Sequence, residues 1–178
     1  MYANLMGDYV KWKDYTHLPL KMQQGVKLHR TIDNFIDTHP IVKDLLHELY
    51  EPLPKISGIA VDLYFDHLLA KNWSSFHQQG LNEFTQDFYA VKRDNLEFYS
   101  TNFNFMLDKM KELNWLYEYK NHSGLTQACS GLSRRISFDN KLAEAPRVFL
   151  DKEESITLAF NNFMSEAIPY FEKYFRGN

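Results

Sequence analysis

The segment Ile56–Ala70 reads Ile-Ser-Gly-Ile-Ala-Val-Asp-Leu-Tyr-Phe-Asp-His-Leu-Leu-Ala. Wound as a helix it is apolar almost all round, which predicts a central, buried element. Its ionisable groups suited to carry charge or bind a metal are Asp62, Asp66 and His67. Asp62 and Asp66 are one turn apart on one face, and His67 is about 100° round from Asp66. Burying a carboxylate is strongly unfavourable unless a partner compensates it. Two carboxylates and an imidazole on one buried helix therefore predict a bound cation.

A second stretch poses the same problem. On a helix over residues 19–38, Met22, Val26, Leu28, Ile32, Phe35 and Ile36 span a continuous apolar arc of roughly 180°. His29 and Asp33 fall inside that arc at i and i+4, while Arg30 and Asp37 sit at its rim. A His and an Asp on a core-facing stripe are costly unless they pair or hold a metal. Asp8, after Gly7 on the apolar side of the first helix, is placed to join them, and His39 stands at the end of the second helix. Imidazole and carboxylate donors without thiolate suit Mn, Fe, Zn or Mg rather than a structural zinc. For any one of these residues alone, a hydrogen-bonded core histidine or a buried ion pair is the simpler account. His17, His47, His77 and His122 lie in polar contexts and read as surface residues, and Cys129 reads as buried and inert.

The elements that must position these groups are helical. The 178 residues carry few glycines (7) and prolines (6), too few for an all-β chain that turns every 8–12 residues or so. Helical period predicts elements over residues 2–13, 19–38, 41–50, 55–71, a long one over 81–99, one broken or two short ones over 103–120, one over 123–135, and a last one over 151–175 that Pro169 should kink or split. Clean two-residue alternation is lacking, so the fold class is all-α, a single-domain helical bundle spanning 1–178 with no linker, repeat or low-complexity tract. The net charge of −3 argues against a nucleic-acid binder. A lone cysteine excludes a disulfide framework and fits a reducing compartment. No run approaches the roughly 18 apolar residues of a membrane span, and residues 1–8 do not read as a signal peptide. A cytoplasmic protein with no nucleic-acid and no membrane partner is expected.

Several blocks resemble the acyl carrier protein phosphodiesterase family. They are Asn4-Leu5-Met6-Gly7-Asp8-Tyr9-Val10-Lys11, Gly25-Val26-Lys27-Leu28-His29-Arg30-Thr31-Ile32-Asp33 and Phe35-Ile36-Asp37-Thr38-His39-Pro40, followed by Asp62-Leu63-Tyr64-Phe65-Asp66-His67 and Gly131-Leu132-Ser133-Arg134-Arg135. The ordered set His-Arg-x-x-Asp, Asp-x-His-Pro and Asp-x-x-x-Asp-His is specific, although each piece alone is weak. The resemblance implies a helical fold distantly related to the HD-domain phosphohydrolases. It also implies hydrolysis of the phosphodiester joining 4′-phosphopantetheine to a carrier-protein serine, with a divalent metal, typically Mn (Mg or Fe are alternatives), and an acidic acyl carrier protein as partner. On that basis Asp8, His29, Asp62, Asp66 and His67 are expected as metal ligands, and Asp66, His29, Arg30 and Asp33 as catalytic groups. Arg30, Arg134, Arg135 and His39 are expected to bind substrate, Arg30 because its fork matches phosphate oxygens.

Docking an acidic carrier calls for a local basic patch. Lys11, Lys13, Lys21, Lys27, the Lys92-Arg93 pair and the Arg134-Arg135 pair are the candidates. Family members begin with a short apolar stretch of the kind Met-Asn-Phe-Leu-Ala-His before the Asn-Leu-Met-Gly-Asp block. This chain starts inside that block, so the family's N-terminal segment and its early histidine have no counterpart here. If that histidine is a ligand, weak metal binding is expected. Two other readings stay open: a metal phosphohydrolase acting on another small phosphoester, since a fold does not fix a substrate, and a truncated or degenerate, non-catalytic helical homologue.

Overall fold

The computed structural model describes residues 2–10, 15–92 and 96–177, with the side chains of Asp8, Leu96 and Gly177 outside the description. Every regular element among the described residues is helical, as expected. The α-helices are α1 (Tyr2–Leu5), α2 (Leu20–Thr38), α3 (Pro40–Leu49), α4 (Ser57–Lys71), α5 (Leu81–Ala90), α6 (Thr101–Glu112), α7 (Trp115–Glu118), α8 (His122–Ser133), α9 (Ala145–Asp151) and α10 (Glu153–Gly177), with short 3₁₀ turns at Met6–Tyr9, Trp73–Ser75, Leu96–Phe98 and Leu142–Glu144. The chain's contacts divide it into two compact units, Met1–Asp37 with Gln78–Tyr117, and Thr38–His77 with Glu118–Asn178. Each unit is built from two separate stretches, which is why no linker or change in composition marks the division.

The first unit has a core of Tyr2, Met6, Leu18, Met22, Val26, Phe88, Tyr89, Phe103, Leu107 and Met110. Tyr2 keeps its polar end satisfied inside this core by donating its hydroxyl to the Phe88 carbonyl (2.9 Å), with the two rings edge to face. Two glycines let α1 and the turn after it lie close on α2. A Cβ at Gly25 would stand 2.5 Å from the Ala3 Cβ, and one at Gly7 would stand 2.0 Å from the His29 ring. Helix α5 stops at Ala90, not at residue 99, because the apolar period fails across Lys92–Asn95 and Val91 turns to an extended ψ of 125°. The expected break in 103–120 falls at Asn114, whose φ of 49° is one that asparagine tolerates better than most residues.

The second unit is organised around α4, which packs against α3, α8 and α10. Ala60, Val61, Leu63, Tyr64, Phe65, His67, Leu68 and Ala70 are buried on it. Tyr64 donates its hydroxyl to the Ala145 carbonyl (2.6 Å) and its ring meets Phe149. Phe65 packs on Phe160 and Phe163 of α10, whose inward stripe of Ile156, Phe160, Phe163 and Ala167 keeps helical period. Pro169 does not split α10, which runs unbroken to Gly177. Residues 165–170 are exposed except for Ala167, so the carbonyl of Ser165 that loses its N–H partner is left to water. Helix α9 was not expected, since seven residues are too short to show a period.

Phe149 is 1% exposed and touches both Tyr64 and the His67 ring. Phe149→Ala should destabilise the fold by about 3–5 kcal/mol, read from chemical denaturation. A loss below about 1 kcal/mol would show that this ring is not part of the core of the second unit.

Candidate functional site

The first unit holds Asp8, His29, Arg30 and Asp33, and the second holds His39, Asp62, Asp66, His67, Arg134 and Arg135. Among the described residues no three His, Cys, Asp or Glu side chains form a group that could hold a metal ion. In the first unit His29 pairs with Asp33, and in the second Asp62 and Asp66 share one face of α4.

In the first unit the apolar arc of α2 is fully buried at Met22 and Val26 and half-buried at Leu28, Ile32, Phe35 and Ile36. His29 and Asp33 therefore do not sit in a sealed core. The His29 side chain is 17% exposed and that of Asp33 is 50% exposed. Their i, i+4 spacing brings His29 Nε2 to 3.1 Å from Asp33 Oδ2, the pairing that the spacing requires. The ring of His29 lies against Gly7, where any side chain would collide with it. Asp8 follows Gly7 directly, but its side chain lies outside the description. Arg30 is half-buried, with Nη2 donating to the Val10 carbonyl (3.4 Å) and its guanidinium 4.7 Å from the centre of the Tyr15 ring. Lys11, Lys13 and Arg93 lie outside the described residues, whereas Lys21, Lys27 and Lys92 are exposed.

In the second unit, the expectation that Asp62 and Asp66 are buried is corrected. Both are exposed: Gly58, Asp62 and Asp66 recur every four residues and form an exposed stripe along a helix most of whose other residues are buried. Water reaches Asp66, yet the surrounding protein displaces much of its hydration. That desolvation first, and the like charge of Asp62 second, raise its pKa from 3.8 to about 7. His67 leaves the helix on a different side from Asp66. It is 3% exposed, its ring is edge-on to Phe149, and its Nδ1 lies 2.6 Å from the Tyr119 carbonyl. A carbonyl only accepts, so the proton is on Nδ1. Burial holds His67 below its ordinary value, and the Tyr119 hydrogen bond pulls the other way. This is the tautomer that ligating histidines use, but here the ring is turned into the core.

His39 is also a core residue, 5% exposed, packed on Phe163 with Nε2 3.4 Å from Glu166. It precedes Pro40 and marks the junction of α2 with α3. Arg134 and Arg135 are exposed just past the last turn of α8. His17, His47, His77 and His122 are exposed, and Cys129 is buried with its thiol pushed up to about 12 by burial, as expected. The contacts that sequence reasoning missed are those made by Gly7, Tyr15 and the Tyr119 carbonyl. A glycine inside a helical pattern is a signal for close packing. Nothing in the sequence points to a stack by Tyr15 or a hydrogen bond from a backbone carbonyl.

Gly7→Ala should shift the imidazole resonances of His29 and lower the melting temperature by several degrees, since overpacking costs about 1–3 kcal/mol. Unchanged His29 signals would mean that the ring does not lie on Gly7. For Asp66 the native state binds the extra proton between pH 4 and 7, so its contribution makes the metal-free fold less stable as pH rises through that window. Asp66→Asn should therefore raise the melting temperature at pH 8 in the presence of chelator and leave it nearly unchanged at pH 3. An equal effect at both pH values would show that Asp66 ionises normally.

A family model described as acyl carrier protein phosphodiesterase matches residues 1–167. A protein of Photorhabdus laumondii named acyl carrier protein phosphodiesterase is 25% identical over 134 residues, which cover 75% of this chain and 68% of the relative. Proteins of the same name from Salmonella agona and Salmonella paratyphi A are 24% and 23% identical over the same share of this chain, and 69% of each relative is covered. No solved structure matched. With 167 of its residues matched by that one family model, the chain belongs to the acyl carrier protein phosphodiesterase family.

Proposed function

We propose that this chain is a phosphodiester hydrolase that removes 4′-phosphopantetheine from holo-acyl carrier protein, releasing apo-carrier and phosphopantetheine in the cytoplasm. The observation that carries the reading is the seating of one family block on another. Gly7 of the Asn4–Lys11 block lies against His29, and His29 pairs with Asp33 of the Gly25–Asp33 block. Family membership over residues 1–167 supports the reaction, and the names of the relatives support the carrier as substrate. No helix among the described residues is long and apolar enough to cross a membrane, which is compatible with a protein partner met in solution.

In this reading Asp33 orients the His29 imidazole through the proton on Nε2 and stabilises its charged form when the ring takes up a second proton. Arg30 offers a planar N–H fork to the phosphodiester oxygens. Arg134 and Arg135, exposed past α8, are candidates to meet the acidic carrier or its phosphate, and His39 supports α3 from within the core rather than touching substrate.

A divalent metal, with Mn first and Mg or Fe as alternatives, fits the chemistry of the donors. Carboxylate oxygens and imidazole nitrogens without thiolate suit these ions. Desolvation first, and the like charge of Asp62 second, raise Asp66 to about 7, so a cation beside the two carboxylates would favour the charged form. Within the second unit Asp62 and Asp66 are the residues that would hold such an ion; within the first, Asp8 and His29 are, with His29 then serving as ligand in place of taking up a proton. Such a metal supplies polarisation of a phosphoryl oxygen and a more acidic water.

The test is conversion of holo- to apo-carrier by the purified protein with Mn, followed by gel mobility or mass, beside a panel of small phosphoesters. Conversion should occur, be abolished by chelator, and fall at least about 100-fold in Asp66→Asn with the helical circular dichroism unchanged. Absence of conversion by protein shown to contain metal would overturn the reading, and cleavage of another phosphoester alone would reassign the substrate.

A further inference from the structure

We infer that Tyr15 is a positioning residue for phosphate recognition, acting through Arg30; this rests on the proposed reaction and extends it to a residue outside the family blocks. Tyr15 lies between the Asn4–Lys11 block and α2, and its side chain is half-buried. The Arg30 guanidinium carbon stands 4.7 Å from the centre of the Tyr15 ring, within the range of a cation–π contact. The Val10 carbonyl accepts from Arg30 Nη2 at 3.4 Å. Two features of the chain that precedes α2, a ring face and a carbonyl, thus hold one guanidinium at the rim of the helix that carries His29 and Asp33.

The chemistry of the stack gives it a role beyond packing. A cation–π contact is an attraction to the ring face and brings no oxygen acceptor to the guanidinium, so the ring does not compete with phosphate for the N–H donors. It restricts the position of the fork beside the ring. An unstacked arginine would have to lose much of its rotamer freedom on binding a phosphodiester, whereas a stacked one has lost it already. The gain should appear in substrate binding, because the ring touches neither the carboxylates nor His29 in any described contact.

The experiment compares Tyr15→Leu, Tyr15→Phe, Arg30→Gln and the double variant Tyr15→Leu/Arg30→Gln. Tyr15→Leu should raise KM for holo-carrier about threefold to tenfold with kcat and melting temperature nearly unchanged. Tyr15→Phe, which keeps the ring face, should behave like the parent protein. The double variant should be no worse than Arg30→Gln alone, since the stack has nothing left to orient. Independently of turnover, the Arg30 Nε–H proton should lose its ring-current shift in Tyr15→Leu and keep it in Tyr15→Phe.

An unchanged KM in Tyr15→Leu alongside a raised KM in Arg30→Gln would overturn the inference. So would additive effects in the double variant, or a fall in stability and kcat without a change in KM. If Arg30→Gln leaves KM unchanged, Arg30 does not bind the phosphate and the inference fails with it. If the parent protein has no activity on holo-carrier, binding of free phosphopantetheine replaces KM as the readout. Weakening by Tyr15→Leu and not by Tyr15→Phe then upholds the role of Tyr15 while the proposed reaction falls, and equal binding by all variants rejects it.

Discussion

Helix α4 is the element on which the second unit depends, and its constraint is a shortage of polar surface. Buried residues occupy most of its length, and α3, α8 and α10 pack against it. Such a helix can carry ionised groups only where water still reaches it. The every-fourth-residue spacing of Gly58, Asp62 and Asp66 confines them to one stripe. The carboxylates therefore meet each other at one-turn spacing instead of being spread round the helix. Their mutual repulsion follows from the way the rest of the helix is buried. The polar groups that do enter the core are satisfied by backbone carbonyls, Tyr64 by Ala145 and His67 by Tyr119.

The first unit solves a different problem. It must bring a short N-terminal helix onto α2 closely enough for backbone to touch side chain. Glycine is what permits this: a Cβ at Gly25 would meet Ala3, and a Cβ at Gly7 would meet His29. The second of these contacts faces a residue proposed above to take part in the chemistry. The His29 ring is held by packing on one side and by Asp33 on the other, and the adjacent Arg30 is held by Val10 and Tyr15. Two consecutive side chains of α2 are thus oriented by chain that precedes the helix. Orientation of this kind is what the proposed roles of His29 as a base and Arg30 as a phosphate-binding fork would require.

The all-α fold and most helix positions were legible because apolar period is a local property. Residues 19–38, 41–50 and 55–71 were read within two residues of α2, α3 and α4. The misses were also local. α5 ended where Lys92–Asn95 broke the period, and α9 was too short to show one; of the kink or split expected at Pro169, the split does not occur. At the site, the His29–Asp33 pairing followed from i, i+4 spacing. The burial of Asp62 and Asp66 did not, because composition counts how apolar a helix is and not which strip its neighbours leave open. His67 shows the converse. It was grouped with Asp66 by adjacency in sequence, yet one residue of helical advance turns it from water into the core. The roles of Tyr15 and the Tyr119 carbonyl depend on which segments meet, and a single sequence does not contain that information.

The raised pKa of Asp66 links the two accounts of the carboxylate pair. With Asp66 raised to about 7, its carboxyl is partly protonated near neutral pH. A divalent cation bound to the pair would favour the doubly charged form, and so would have to displace the residual proton. Proton and cation would then compete for Asp66, and apparent affinity for such a cation would rise with pH through the window in which Asp66 ionises. An ion pair with a neighbouring lysine or arginine would have lowered that pKa instead of raising it. The sign of the shift therefore separates a carboxylate paired with a cationic side chain from one whose charged form is disfavoured, and Asp66, raised by desolvation first and Asp62 second, is of the second kind. Glu153 and Glu48, held below their ordinary values by Lys71 and Lys152 respectively, are of the first kind.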